Sequence, residues 1–398
     1  MTEKTQILDK PDEFSEILFE KLKLLNFGLR DLEIYEFRYA LENVLPAGGW
    51  NSITLASASD IESQLTNQVT YKSIQLKPVL DGRIQLDPQI IRLTQMLFVG
   101  LVTGEYTGEW LRENFYFDIR GFYFLHRTVY FTQEVHDYLG EKPFRRFTRN
   151  QKKFETLQEI GYKDFMQANQ ELDQFFIKCV IDLVALKGTP IILGIAGPTA
   201  AGKTEIVMQL RDAFVNIGKK ICTIEMDNFL TDREYREQKG IDSLGKEALH
   251  FDLLLQSLEQ ICRGETIQIP QYDFVAATST HDIDGKLRPG ATMLEIEPAD
   301  IIFIEGNFPF LYPELSNLVG IKVVYMTDDD IRMKRKWRRD IDFRKKYDLN
   351  YFRNRYFREQ FIMAQEVYIP QMLICDLVVD TTGAALWSSP ITRDLLRF

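Results

Sequence analysis

The stretch GPTAAGKT at residues 197–204 fills the template G-x-x-x-x-G-K-[ST] at every fixed position. Ahead of it runs IILGIA (191–196), a short β-branched, apolar run that predicts a buried strand. Behind it Ile206, Val207, Leu210, Phe214 and Ile217 recur at helical spacing, and Gly218 predicts the stop. The loop therefore stands between a strand and a helix, the setting in which this motif cradles phosphate. Its glycines let the backbone curl so that successive N–H groups converge. The helix adds the partial positive charge of its N-terminus. Gly197, Pro198, Thr199, Ala200, Ala201, Gly202, Lys203 and Thr204 are thus the expected nucleotide-binding set. Lys203 is expected to reach the β- and γ-phosphates of ATP, and the Thr204 hydroxyl to hold Mg2+.

The chain around this loop has 398 residues, 45% of them hydrophobic and 27% charged, which suits a folded chain of two or three domains. A formal net charge of −10 argues against non-specific nucleic-acid binding, which needs a positive field. No apolar run approaches the ~18 residues of a membrane span, and the N-terminus has no signal-peptide pattern. Cys179, Cys222, Cys262 and Cys375 are widely separated and share no metal-ligand spacing with the four histidines. All four are expected to be buried free thiols, and the protein to be cytoplasmic.

A Lys-Gly-Thr-Pro breaker at 187–190 divides the chain. Three parts are expected: an α+β domain of unknown role over 1–165, a connecting helix and linker over 166–189, and an α/β domain over 190–398. In the first part, residues 12–44 read as helical. SITLA (52–56) and YKSIQL (71–76) alternate like strands, with Asp81-Gly82 as a turn. Residues 113–132, ENFYFDIRGFYFLHRTVYFT, predict two aromatic strands around Gly121, as sheet core or as a stacking platform for bases. His126 and His136 read as structural, and FRRFTRNQKK (144–153) as a solvated linker face. From 190 onward strands and helices alternate, as in a parallel sheet flanked by helices. The expected strands are IILGIA, ICTIEM (221–226), IIFIEG (301–306), KVVYMT (322–327) and DLVVDT (376–381).

Three further features bear on chemistry. Asp227, in EMDNF, ends the second strand, 24 residues after Lys203. Strand carboxyl ends line the ligand crevice in such sheets, so this carboxylate is placed to take a proton from an acceptor hydroxyl; the alternative is a helix N-cap. Glu305 follows four apolar residues in IIFIEGNF, a pattern that puts a carboxylate beside Mg2+. Gly306 is expected to let the backbone turn beside the phosphates. Residues 332–346, RMKRKWRRDIDFRKK, carry nine Lys or Arg. They read as a solvated face, a nucleic-acid patch, or a lid that brings arginines to the transferring phosphoryl group.

With these elements in order, residues ~190–383 resemble the uridine kinase/phosphoribulokinase family of P-loop kinases. The motifs that carry the resemblance are GPTAAGKT, MDNFLTDRE, GETIQIPQYDF, IIFIEGNFPFL and RKWRRDIDFRKK, followed by RYFREQF and EVYIPQMLICDLVVDTT. The bacterial uridine kinase-like branch is the most similar. The resemblance implies a P-loop NTPase-type fold with ATP and Mg2+ as cofactors. It implies Asp227 as base, Glu305 and Thr204 as metal contacts, Asp242 and Tyr272 facing the phosphoryl acceptor, and Arg335, Arg339 and Arg344 as lid arginines. The acceptor segment departs from the family pattern. IDSLGKEALHFD aligns only at Asp242 and the Glu247–Ala248 step, and His281 and Arg288 come late after YDF. His281 stands either for the family's histidine or as a loop residue with no role.

The expected function is therefore an ATP- and Mg2+-dependent kinase acting on a hydroxyl of a small molecule, a nucleoside by resemblance. Phosphoribulokinase, pantothenate kinase or glycerate kinase activity is the alternative within the family. An ATP-binding regulator without turnover is the alternative outside it. The tRNA dimethylallyltransferases have a similar loop, but their DSxQxY stretch is EMDNFLTD here. The N-terminal part is expected to regulate or dimerise the kinase, so a homo-oligomer is compatible with this reading; no nucleic-acid or membrane partner is expected.

Overall fold

The computed structural model describes residues 6–26, 29–30, 32–57, 77–78, 84–85, 88–118, 122–126, 129–148, 169–241, 245–327, 332 and 363–397. They form two compact units, one up to residue 126 and one from residue 129.

In the first unit, α1 (Pro11–Leu25) starts with Pro at N1, Asp12 and Glu13 in the first turn, and ends with Lys23 in the last. Its buried stripe is Phe14, Leu18, Phe19 and Leu22. Helix α2 (Ile34–Leu41) opens on a Glu33/Glu36 capping box. The short strands β1 (Lys77–Pro78) and β2 (Ile84–Gln85) pair antiparallel. Then come α3 (Pro88–Thr103), α4 (Gly108–Asn114), and the antiparallel strands β3 (Phe115–Asp118) and β4 (Tyr123–His126). The aromatic strands are core rather than a stacking platform: Phe115, Phe117, Phe122 and Phe124 are buried. Phe98 of α3 meets Phe117, Phe122 and Phe124 at ring separations of 5.9, 6.0 and 5.8 Å. Two expectations change. SITLA forms no strand; a 3₁₀ turn at Trp50–Ser52 ends on its first residue. Helix α3 was not expected, because every residue from Leu93 to Val102 is buried or lies among buried neighbours, so no polar face marks a helical period.

The second unit begins with α5 (Gln133–Leu139) and β5 (Arg145–Arg146), followed by α6 (Gln170–Lys187), β6 (Ile191–Ala196), α7 (Lys203–Asn216) and β7 (Ile221–Glu225). Next are α8 (Arg233–Lys239), α9 (Phe251–Cys262), β8 (Ile267–Ile269), β9 (Tyr272–Asp273), β10 (Thr278–Ser279) and β11 (Leu294–Ile296). The chain ends with β12 (Ile301–Gly306), α10 (Pro313–Ser316), β13 (Ile321–Met326), α11 (Ile369–Met372), β14 (Leu377–Asp380), β15 (Ala385–Ser388) and α12 (Pro390–Leu396). All five expected strands are present. They form the parallel part of a seven-stranded sheet ordered β5-β15-β14-β13-β6-β12-β7, with β15 and β5 antiparallel at one side. One face is covered by Phe176, Leu183, Leu210 and Phe214 of α6 and α7. The other is covered by Leu254, Leu258 and Ile261 of α9, with Phe310, Val367 and Met372. Coverage on both sides explains why β6 and β12 are buried at every position and read as unbroken apolar runs.

The chain passes from β6 to the edge strand β7, returns to β12, and then crosses to β13 on the other side of β6. Strand order thus reverses at β6, and the crevice at its carboxyl end is where such sheets place ligands. The expected boundary near residue 165 differs from the observed one. Tyr130, Val135 and Leu139 are buried in the core of the second unit. Arg145–Arg146, expected to be linker, pairs with β15, and the Phe147 N–H bonds the Ala384 carbonyl at 2.8 Å. The thiols also differ: Cys179 and Cys375 are buried, but Cys222 is half-buried and Cys262 exposed at the end of α9.

Candidate functional site

The loop 197–202 leaves β6 at the reversal point and feeds directly into α7. Gly197 passes so close to β13 that a Cβ there would stand 2.2 Å from the Tyr325 carbonyl oxygen. Ala200 holds φ of +62°, a conformation an alanine keeps only when its surroundings impose it. Pro198 O accepts from Ala201 N at 3.2 Å, closing the turn. The Lys203 ammonium donates to Gly197 O at 2.8 Å and Pro198 O at 3.2 Å, so its charge lies over the loop.

Thr204, in the first turn of α7, donates from Oγ1 to Glu305 Oε1 at 2.9 Å, with Oε2 at 3.3 Å. Residues 101 apart in sequence are thereby brought together. Glu305 is 7% exposed. Burial pushes its carboxyl up to about 7; Lys203 and Thr204 pull it down, and Glu225 and Asp227 push it further up. Glu225 is directly opposite Glu305 in the parallel register of β7 and β12, so both side chains leave the same face of the sheet. Loss of hydration and the charge of Asp227 raise Glu225 as well. The donor set is oxygen only, anionic and beside an ammonium group, which fits a hard divalent cation such as Mg2+. Gly306 is still within β12. Its glycine is needed because a Cβ would meet Met226 at 2.7–2.9 Å, not because the backbone turns there.

Asp227 lies half-buried in a 3₁₀ turn (Met226–Phe229) at the end of β7, not at a helix N-cap. The next residue, Asn228, accepts from the Tyr272 N–H through Oδ1 at 3.4 Å, which ties the YDF segment to the MDNF turn. Tyr272 is buried, and its hydroxyl accepts from Arg236 at 3.2 Å. Arg236 is itself buried, and its other terminal nitrogen bonds the Thr231 carbonyl. Asp232 accepts from the Ser279 N–H at 2.8 Å and from Arg288 at 2.6 Å, closing the β9–β10 hairpin against the start of α8. His281 is buried, with Nδ1 3.0 Å from Thr280 Oγ1 and its ring 6.1 Å from that of His250. Burial lowers both imidazoles. His250 donates its own N–H to Phe229 O at 2.8 Å, so the histidine pair backs the MDNF turn.

Lys203, Thr204, Glu305 and Asp227 are therefore gathered at adjacent strand ends, with Tyr272 one hydrogen bond from Asn228. Asp242, Arg335, Arg339 and Arg344 lie outside the described residues. Arg332, at the head of the basic segment, is 1% exposed and donates to Tyr130 at 3.3 Å, so this arginine is part of the packed core. The residues missed in the sequence are supports. Tyr368 and Gln371 hold Asn307, two positions past Glu305, at 3.3 and 2.9 Å. Thr327 bonds the Ala201 carbonyl at 2.9 Å. None carries a motif; EVYIPQ pointed at a region but not at a contact.

Residues 192–386 match the model of the Phosphoribulokinase / Uridine kinase family. A uridine kinase of Lactobacillus helveticus is 28% identical over 202 residues, covering 49% of this chain and 88% of that protein. A uridine kinase of Bacillus mycoides is 31% identical over 158 residues, 39% of this chain and 69% of that protein. A solved structure described as a possible uridine kinase from Bacillus stearothermophilus is 20% identical, covers 44% of this chain and 93% of its own, and gives a TM-score of 0.32.

Proposed function

The chain belongs to the phosphoribulokinase/uridine kinase family of phosphotransferases acting on hydroxyl groups, and we propose that it transfers the γ-phosphoryl of ATP to a hydroxyl of a small nucleoside-like acceptor. The observation that carries the reading is the 2.9 Å contact between Thr204 and the buried Glu305 beside Lys203. Loop N–H groups and the α7 N-terminus receive the phosphates. Lys203 exchanges its loop carbonyls for phosphate oxygens. Thr204 and Glu305 would hold Mg2+, which when bound would neutralise negative charge on the transferring phosphates. Asp227 accepts the proton as the acceptor oxygen attacks phosphorus and ADP leaves. Tyr272 borders the acceptor, and the arginines Arg335, Arg339 and Arg344 close over the transferring group.

The nucleoside assignment is supported by the similarity to uridine kinases over most of their length. The acceptor segment, with His250 and His281 paired behind it, is the part that departs from the family pattern. The test is ATP consumption with Mg2+ against uridine, cytidine, ribulose 5-phosphate, pantothenate and glycerate. Turnover with a nucleoside is expected. Turnover only with a sugar phosphate or an acid replaces the substrate and keeps the mechanism. Tight ATP binding with no turnover on any acceptor refutes the catalytic reading in favour of regulation. As a control, Lys203→Ala is expected to abolish both ATP binding and transfer.

A further inference from the structure

Thr327 stands one residue past the end of β13 and is 1% exposed. Its hydroxyl donates to the carbonyl of Ala201, 126 residues earlier, at 2.9 Å. Behind it, Thr381 Oγ1 lies 2.7 Å from Thr327 Oγ1 and 2.9 Å from the Met326 carbonyl. A hydroxyl has one proton to give. Thr327 commits its proton to the Ala201 carbonyl and Thr381 commits its own to the Met326 carbonyl, so Thr381 anchors the Met326–Thr327 peptide from which the Thr327 hydroxyl reaches the loop. Ile206 N–H closes on Gly202 O at 3.1 Å, so the Ala201 carbonyl lies one position ahead of the α7 ladder and takes a side-chain partner.

A trans peptide is planar, with its C=O and N–H pointing in opposite directions. Holding the Ala201 carbonyl on the Thr327 hydroxyl turns the Gly202 N–H away from Thr327. We infer that Thr327 is a positioning residue for the phosphate loop, its hydroxyl aiming the Ala201–Gly202 peptide so that the Gly202 N–H meets a nucleotide phosphate. The end of β13 and the residue after it then border the loop at two points, the Tyr325 carbonyl leaving no room for a side chain at Gly197 and the Thr327 hydroxyl bonding Ala201. The inference rests on the phosphate-loop reading proposed above.

The test is the dissociation constant of MgATP, measured by calorimetry on folded full-length chain. Thr327→Val keeps the shape and removes the proton; it is expected to weaken MgATP about tenfold. Thr327→Ser restores the hydroxyl and is expected to bind like wild type. Thr381→Val removes the bond that anchors the Met326 carbonyl behind Thr327 while leaving the Thr327 hydroxyl in place; about threefold weakening is expected. Wild-type affinity in Thr327→Val overturns the inference, as does equal weakening in Thr327→Ser. Where Thr327→Val does not fold, wild-type affinity in Thr381→Val overturns it instead. Lys203→Ala separates the two levels. If that variant binds MgATP normally, the phosphate-loop reading itself fails. If it loses binding while the threonine variants do not, only the role of Thr327 fails.

Discussion

Asp173 on α6 is 2% exposed, and its Oδ1 accepts from the Tyr325 hydroxyl at 3.0 Å. Burial pushes this carboxyl from 3.8 up to about 7, and the Tyr325 bond recovers only part of the shift. Below pH 3.8 the folded and unfolded chains both hold the proton, and Asp173 contributes no pH dependence. As the pH rises, the unfolded chain releases the proton first, so stability falls, and the fall is complete once the folded carboxyl also ionises near 7. With about 1.4 kcal/mol per unit, the whole loss is about 4 kcal/mol, of which about 2–3 kcal/mol falls between pH 5 and pH 8. Asp173→Asn keeps an acceptor for Tyr325 and does not titrate. Its own packing cost is the same at every pH. Urea unfolding of both proteins across pH 5–8, followed on the transition of the unit containing α6, cancels the groups they share. The stability difference is expected to move in favour of Asp173→Asn as pH rises, by that amount. Parallel curves would refute the argument, because they would mean that Asp173 is either hydrated or ionised throughout.

Three other substitutions test the site. Asp227→Asn is expected to lower turnover by about 10²–10⁴-fold while MgATP binding is unchanged, and single-turnover kinetics with a calorimetric Kd separate the two. Gly197→Ala must push the loop off the Tyr325 carbonyl, since its Cβ would start 2.2 Å away; turnover is expected to drop about hundredfold, the cost of a ~1 Å displacement, with far-ultraviolet circular dichroism unchanged. Gly306→Ala meets Met226 at 2.7 Å; it is expected to lower the melting temperature and turnover together, because the methionine it displaces precedes Asp227.

What was legible in the sequence follows from how locally each feature is determined. The parallel strands stood out because coverage on both faces demands unbroken Ile/Val/Phe runs, and β12 matches IIFIEG to the residue. The helix α6 was visible because its buried stripe faces one side, through Leu172, Phe176, Cys179, Val180 and Leu183. Helix α3 was not, for the opposite reason: from Leu93 to Val102 it is buried all round, so no polar face marks a period, and its polar Thr94 and Gln95 are buried too, one accepting from the Phe124 N–H and the other donating to Val44 O. The segment from Val129 was misassigned because β5 is two residues long and its pairing with β15 joins positions some 240 apart. No composition shift marks such a partner.

The site divides along the same line. Groups that touch phosphate are written in short motifs, since one loop must present several of them within eight residues. The groups that border the loop come from the end of β13 and the residue after it, and are single residues with no spacing rule. Thr327 is an ordinary strand-end threonine until the fold sets it under Ala201. The acceptor side is intermediate. YDF marked the hairpin, but the Asp232–Arg288 ion pair and the buried Arg236–Tyr272 bond that fix it join residues 56 and 36 apart. A buried arginine bonded to the tyrosine hydroxyl keeps that hydroxyl as an acceptor toward Arg236 and leaves its proton for another partner. The same bond limits how far Tyr272 can move to suit a new acceptor. Changes of substrate within this architecture are therefore expected through the segment around Asp242 and through the histidine pair, while Tyr272 and the MDNF turn stay in place.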